Sequence, residues 1–372
     1  MKKFFTALLS IFTACLLALT CTGCSGCGGE TVLSFNDMFF GMENSSPSLG
    51  YVETAYYDVN YQKSFGTDFV RDKDVTDDIV TMNITGSYQT KLEVTNVSVF
   101  NEQTEFLSQT VKSNLISGYQ NENIYKLTNK LDLVAKYSLK GGAEETYNDH
   151  IYSVIYFAPG KLSFTPIYTE QDAEYTVVAM GDEGVAIGKF TNQCSVSYAK
   201  ESYTIKSKHF KDGSLVQNQT KKYENQSGTV IDNAQLLFTM RNIDITTSEL
   251  YDLGVVSYQY GEIKTIRIGC DAVRDEIIPP QNALTVNGSP FIDNDATDGE
   301  SKIKLKRYSY RIAGTTHTGI SQLVFVQSEN TGNLGNRRFI YKYVEPVSAF
   351  SSNALLGAMV YTLRNVTFGY KI

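Results

Sequence analysis

The stretch from residue 125 to 140 alternates apolar and polar residues almost without a break, and no other feature restricts the fold of this chain more. Tyr125, Leu127, Leu131, Leu133, Ala135, Tyr137 and Leu139 share one parity, while Lys126, Thr128, Lys130, Asp132, Lys136, Ser138 and Lys140 share the other. A period of two sets these groups on opposite faces of a β-strand, one buried and one in water. Such a strand needs partners beside it and something packed on its apolar face. Gly141 and Gly142 then permit a tight reversal, and Ile151, Ile155 and Phe157 follow at matching parity, which makes a hairpin. Residues 195–210 and 215–223 flank Asp212-Gly213, a dipeptide that readily takes positive φ, and form a second hairpin. Residues 255–260 and 263–270, around Gly261, form a third.

Strands of the same style are predicted at 302–312, 320–327, 338–344 and 359–368, separated by turn-rich segments such as 329–335. In the first of them the apolar parity switches from Ile303 and Leu305 to Tyr308, Tyr310 and Ile312, as a β-bulge requires. Only residues 232–242 carry a full helix signature. Asp232 is placed to cap the N-terminus with Gln235 reaching back, and Leu236, Leu237, Met240 and Ile243 fall on one stripe. Arg241 suits the C-terminal end of the helix dipole. A second helix at Phe106, Leu107, Val111 and Leu115 competes with a strand assignment. The expected fold is mostly β: a large curved antiparallel sheet, half-barrel-like, with one or two short helices packed on it. It spans residues 50–372 as one extended domain, with a subdivision conceivable near residue 185.

Composition narrows the function. Of 372 residues, 42% are hydrophobic and only seven are Pro, which disfavours disordered and multi-span membrane classes. The net charge of −7 gives a polyanion no global attraction, so nucleic acid is not an expected partner. There are 25 Tyr and 20 Phe but no Trp, an aromatic profile suited to strands.

At the N-terminus, Lys2 and Lys3 precede an apolar run from Phe4 to Leu19, followed by small uncharged residues that include Cys21, Cys24 and Cys27. The layout is that of a secretory signal, with a single membrane span as the rival. Here the chain resembles bacterial lipoprotein precursors, in which small residues precede a Cys that is acylated and becomes the mature N-terminus. Cys24, after Thr22 and Gly23, fits best and Cys21 second; the position three before Cys24 holds Cys21 where the family usually has Leu. An iron–sulfur reading of the three cysteines lacks a fourth ligand. The resemblance implies a signal over 1–23, a flexible tether over 24–49, and a protein lipid-anchored on the extracytoplasmic face of the cell membrane. Removing 1–23 takes two Lys and no acid, so the charge falls from −7 to −9, and the body should stand off an anionic membrane.

The helix at 232–242, Ile243-Asp244-Ile245, the hairpin around Gly261, and the strands at 338–344 and 359–366 resemble the C-terminal half of a family of secreted bacterial proteins. That family belongs with the lipoprotein-carrier (LolA-like) superfamily. The resemblance covers residues 190–372 in outline and implies an incomplete barrel closed over by a helix. It carries no catalytic residue with it, and 271–301 is longer than that connection normally is.

Chemistry is sparse. His150, His209 and His317 stand apart, with no zinc-ligand spacing. Ser197 to Lys200 and Ser301 to Lys304 match Ser-x-x-Lys, but the first lies in a strand pattern where the chemistry needs a helical turn. Asp293, Asp295, Asp298 and Glu300 form an acidic loop out of register with a calcium loop. Cys194 and Cys270 are candidates for a disulfide or for two buried thiols. No catalytic residue, metal site or cofactor is expected. Two readings remain. In one, a concave apolar face with Leu131, Leu133, Tyr137, Ile151 and Ile155, closed by Leu236, Leu237 and Met240, binds an apolar ligand, acyl chain or envelope component. In the other the interior is packed and the exterior recognises glycan or protein. A cavity under the helix, or its absence, separates them.

Overall fold

The computed structural model describes residues 48–370 except 67–68, 71–77, 97–122, 160–163, 182–183, 200–201, 225–229, 242, 244–249, 259–261, 280–283, 294–299, 313–320, 329–331, 336 and 350–353. The expected signal, Cys24, most of the tether and the second helix at 106–115 lie outside the described residues. In chain order the strands are β1 (Tyr51–Gln62), β2 (Ser64–Phe65), β3 (Phe69–Val70), β4 (Ile79–Asn96), β5 (Asn123–Leu139), β6 (Glu144–Pro159), β7 (Phe164–Gly181), β8 (Gly184–Ala199), β9 (Ser202–Lys211), β10 (Ser214–Glu224) and β11 (Val230–Asp232). After helix α1 (Leu236–Met240) come β12 (Leu250–Ser257), β13 (Glu262–Ile277), β14 (Thr285–Val286), β15 (Ser289–Pro290), β16 (Lys302–Ile312), β17 (Gln322–Gln327), β18 (Ile340–Ser348) and β19 (Leu355–Tyr370).

The alternating segment is β5, and its two faces behave as its parity requires. Leu127, Leu131, Leu133, Ala135 and Tyr137 are buried, while Lys130 and Lys136 are exposed. Removing one such leucine from water is worth about 2 kcal/mol, so this face alone is a large part of what holds the strand in place. Gly141 takes φ +79° in the turn to β6, and Asp212 and Gly213, at +48° and +77°, make the turn from β9 to β10. Both central residues of that turn are left-handed, the geometry whose twist matches a β-hairpin.

Apart from β2 and β3, which pair only with each other, the strands form one large sheet, open and mostly antiparallel. From one margin the order is β10-β9-β8-β7-β6-β5-β4-β1-β19-β18-β17-β16-β13-β12-β11, with β11 parallel to β12 and β14 added in parallel to β19. The N-terminal strand β1 thus sits in the middle, paired with both β4 and β19. Register shifts bend it at Tyr56/Tyr57 in β1, Tyr156/Phe157 in β6 and Phe325/Val326 in β17. Gly86 lets β4 and β5 approach closely, since a Cβ there would strike the Asp132 carbonyl of β5. The margins approach through side chains: Cys194, Val196, Tyr203 and Ile205 of β8 and β9 pack with Val256 and Tyr258 at the end of β12. Among the described residues no ladder joins β10 to β11.

Three expectations change in detail. Residues 195–210 are not one strand but the end of β8 and most of β9, parted at 200–201, because the apolar parity there belongs to two strands that fold back on each other. The parity switch in β16 is real, with Ile303, Leu305, Tyr308 and Tyr310 all buried, but the extra residue is Asp271 in the neighbouring strand β13. The helix is shorter than 232–242: a 3-10 turn, Asn233–Gln235, leads into the five residues of α1.

Candidate functional site

A five-residue helix is too short to hold itself together in water, and here both its ends are fixed by buried charge. At the N-terminal side, Asp232 is fully buried at the end of β11, and its carboxylate accepts from the Ala234 amide at 2.8 Å, as a helix cap does. The same carboxylate accepts from Thr169 of β7 at 2.8 Å and from the hydroxyls of Tyr198 of β8 and Tyr258 beyond β12. One side chain therefore ties together both margins of the sheet and the helix. Burial pushes the Asp232 carboxyl up to about 6, against the pull of its donors. Among the described residues no cation reaches it. Cys194 lies close enough for burial and the Asp232 charge to drive its thiol up to about 12, which leaves it an unreactive core residue.

At the C-terminal side, Arg241 follows α1 and is itself buried. It grips Glu53 of β1 with both guanidinium nitrogens, Nη1 at 2.5 Å and Nη2 at 3.3 Å, and gives Nε to the Arg338 carbonyl at 2.8 Å. Its guanidinium lies 4.6 Å from the Phe339 ring centre and 5.5 Å from that of Phe238. A planar, weakly hydrated cation suits this stacked, bidentate setting better than an ammonium does. Asn129 of β5 adds a third tie, donating to the Ala234 carbonyl at 2.8 Å while accepting from Tyr88 at 3.2 Å.

Between helix and sheet a small cavity remains, of about 30 Å³, room for one or two waters. Glu53, Arg241, Asn129, Leu237 and four tyrosines, Tyr57, Tyr88, Tyr343 and Tyr361, are on its wall. Tyr88 donates to Asn129, Tyr343 shares a 3.2 Å bond with Tyr310, and Tyr361 donates to Glu345 at 3.0 Å. The hydroxyl of Tyr57, a residue 6% exposed, has no hydrogen-bond partner among the described residues. Burial raises the pKa of all four tyrosines, so they act as neutral hydroxyls. Burial also raises the Glu345 carboxyl.

Of the eight residues expected to line a ligand groove, Leu131, Leu133, Tyr137, Leu236 and Met240 meet in one core cluster, with Ile151 half-buried against it. Ile155 packs in a second cluster with Phe157 and Phe238. Only Leu237, half-buried on α1, borders the cavity. The polar wall was not foreseen. Glu53 and Arg241 lie 188 residues apart, and the hint each offers is only a charge at an apolar parity: Glu53 stands in phase with Tyr51, Ala55 and Tyr57.

The remaining sequence candidates stay apart. His150 faces the exposed Asp132 at 2.6 Å, with Lys130 on the other carboxylate oxygen at 2.9 Å. Partial burial raises the Asp132 carboxyl, but these contacts outweigh it and hold it below its ordinary range. His209 is half-buried, which lowers its pKa; His317 and Lys200 lie outside the described residues. Asp293 accepts from the Lys302 amide, and most of the acidic loop after it lies outside the described residues. Cys194 and Cys270 are both free and buried, in different clusters. No group of metal-ligating side chains occurs among the described residues.

The fold and site define a β-rich protein whose large open sheet packs on a short helix pinned at both ends. No family model matches the sequence, and no curated protein matches it. Among solved structures, a β-barrel-like protein of a domain of unknown function, DUF1849, from Brucella abortus is similar over 87% of this chain and all of that one, at 6% identity and a TM-score of 0.45.

Proposed function

We propose that this chain is a lipid-anchored extracytoplasmic protein that binds and does not catalyse, and that it recognises glycan or protein on the outer face of its sheet. The narrow space under the helix carries the reading. Pockets that take ligands run from about 300 to 1,000 Å³, whereas about 30 Å³ remains between helix and sheet. Outside, Tyr56, Gln89, Lys130 and Tyr152 stand in one row across β1, β4, β5 and β6. Tyr56 and Tyr152 are 41% and 39% exposed, and Gln89 donates to the Tyr56 hydroxyl at 3.3 Å. Such rings offer an apolar face with a polar tip, and the amide and ammonium between them supply hydrogen bonds. The anchor rests on the signal and Cys24.

Binding of the protein to isolated cell-wall polysaccharide and envelope proteins tests this. Tyr56→Ser combined with Tyr152→Ser should cut that binding at least about tenfold with the melting temperature unchanged; undiminished binding would remove the outer face from consideration. Mass analysis should find an acylated N-terminal Cys24, and Cys24→Ala should release the protein.

The second reading, an apolar-ligand carrier of the LolA-like kind, is favoured by one observation. Tyr57, whose hydroxyl has no partner among the described residues, and Leu237 both border the cavity, so a displaced α1 would uncover an aromatic cleft with Glu53 and Arg241 at its end. Lipid extracted from the purified protein and identified by mass spectrometry would support it.

A further inference from the structure

We propose that the β9–β10 hairpin docks on an anionic lipid surface, with Leu215 and Val216 entering the headgroup region. The body as a whole is acidic, but the acid is unevenly spread. Residues 202–224 hold five lysines against one Asp and one Glu, a local charge of +3 in a chain of −7. The register places the charges. Lys206 lies opposite Thr220, Lys208 opposite Asn218, Lys222 opposite Thr204, and Leu215 opposite Phe210. In an antiparallel pair, facing residues share a side of the sheet, and so do residues two apart. One face of the hairpin therefore carries Lys206, Lys208 and Lys222 along its stem and Phe210 and Leu215 at its turn end. All three lysines are exposed, and none forms an ion pair among the described residues. Several lysines elsewhere are spent on acids: Lys91 on Glu93, Lys130 on Asp132, Lys189 on Glu174 and Lys342 on Glu276.

Leu215 and Val216 are 55% and 52% exposed, next to each other, at the sheet's hydrogen-bonding margin, where the register shift leaves Val216 unpaired. Lysines and a bulge also protect an edge strand from pairing with another chain. Protection does not call for two adjacent exposed aliphatics beside the lysines. An anionic bilayer does, because it attracts lysines within its surface potential and gains from each aliphatic group removed from water. A nucleic acid would find no exposed aromatic ring for stacking between these charges, and nothing for Leu215 and Val216 to enter. This inference rests on the proposed anchor, which keeps the hairpin within reach of the membrane and makes a weak contact effective.

The sequence contains no Trp, so Leu215→Trp supplies a single Trp that can be excited apart from the tyrosines. The full-length processed protein carrying it would be reconstituted in vesicles of phosphatidylcholine, alone or mixed with phosphatidylglycerol, and recovered by flotation. Docking predicts a blue-shifted emission, protected from aqueous quencher, only in the anionic vesicles and reversed by high salt. Lys206→Glu, Lys208→Glu and Lys222→Glu together should lower the docking equilibrium constant by at least about 100-fold, the loss of three lysines near the surface at their usual contribution, with the circular dichroism spectrum unchanged. A floating protein whose Trp is equally exposed in both vesicles, or a blue shift that survives the triple reversal, would overturn the docking. A protein that does not float with either vesicle would overturn the anchor and, with it, the docking.

Discussion

Asp232 and Glu53 are both buried carboxylates at opposite ends of the same short helix, yet they are satisfied in opposite ways. Glu53 meets a guanidinium in a two-pronged ion pair, and Asp232 meets three hydroxyls and one amide with no positive charge in reach among the described residues. The difference is one of dependence. An ion pair in low dielectric binds its two members to each other, so losing either strands a charge; a carboxylate fed by hydroxyls can give up its own charge and keep most of its bonds. The second makes its end of α1 respond to pH.

The largest effect should come from breaking the ion pair. Arg241→Met leaves Glu53 uncompensated and should cost about 3 to 5 kcal/mol in urea unfolding, while Glu53→Gln with Arg241→Met should cost clearly less than the two single changes added. If the double variant is no better than Arg241→Met, the stacking on Phe238 and Phe339 matters more than the charge.

Next is the packing between the two ends. Met240→Ala, at a fully buried position, should cost about 2 to 5 kcal/mol. Leu237→Ala, half-buried beside the cavity, should cost about 1 kcal/mol. Equal losses would mean that Leu237 is as much a core plug as Met240, and the cleft under α1 would lose its support.

Asp232 gives the pH dependence. Its folded pKa, about 6, is above the ordinary 3.8, so the folded state binds the extra proton. The stabilisation it brings is complete below about pH 4 and is lost as pH rises through 6, an amount of about 3 kcal/mol. In Asp232→Asn the contribution of this site should be flat across that window, so the deficit of the variant should be largest near pH 4. Unfolding free energies at pH 4, 5, 6 and 7 would show it; a constant deficit would place the carboxyl at its ordinary pKa. The smallest effect belongs to the exposed counterpart of the ion pair. Arg267 also grips Asp252 with two nitrogens, at 2.7 and 2.8 Å, but in solvent, and Arg267→Gln should cost less than about 1 kcal/mol.

What the sequence alone determined is local. The alternation in β5, the Gly141 and Asp212-Gly213 turns and the Asp232 cap are written in neighbouring residues, because strand faces, left-handed turns and caps are decided within a few positions. The curved sheet followed from there, as did a helix packed on it. Tertiary structure alone decided how the apolar face was covered. Leu131 and Leu237 are both amphipathic in sequence, yet one is closed in the core and the other borders a cavity, because burial depends on which distant strand arrives opposite. Tyr198 and Tyr258, read from sequence as strand aromatics, become donors to Asp232 only when the two margins of the sheet meet. Glu53 and Arg241 pair across most of the chain, and no periodicity reaches that far: charge at a buried position signals that a partner is needed, while only the fold supplies it.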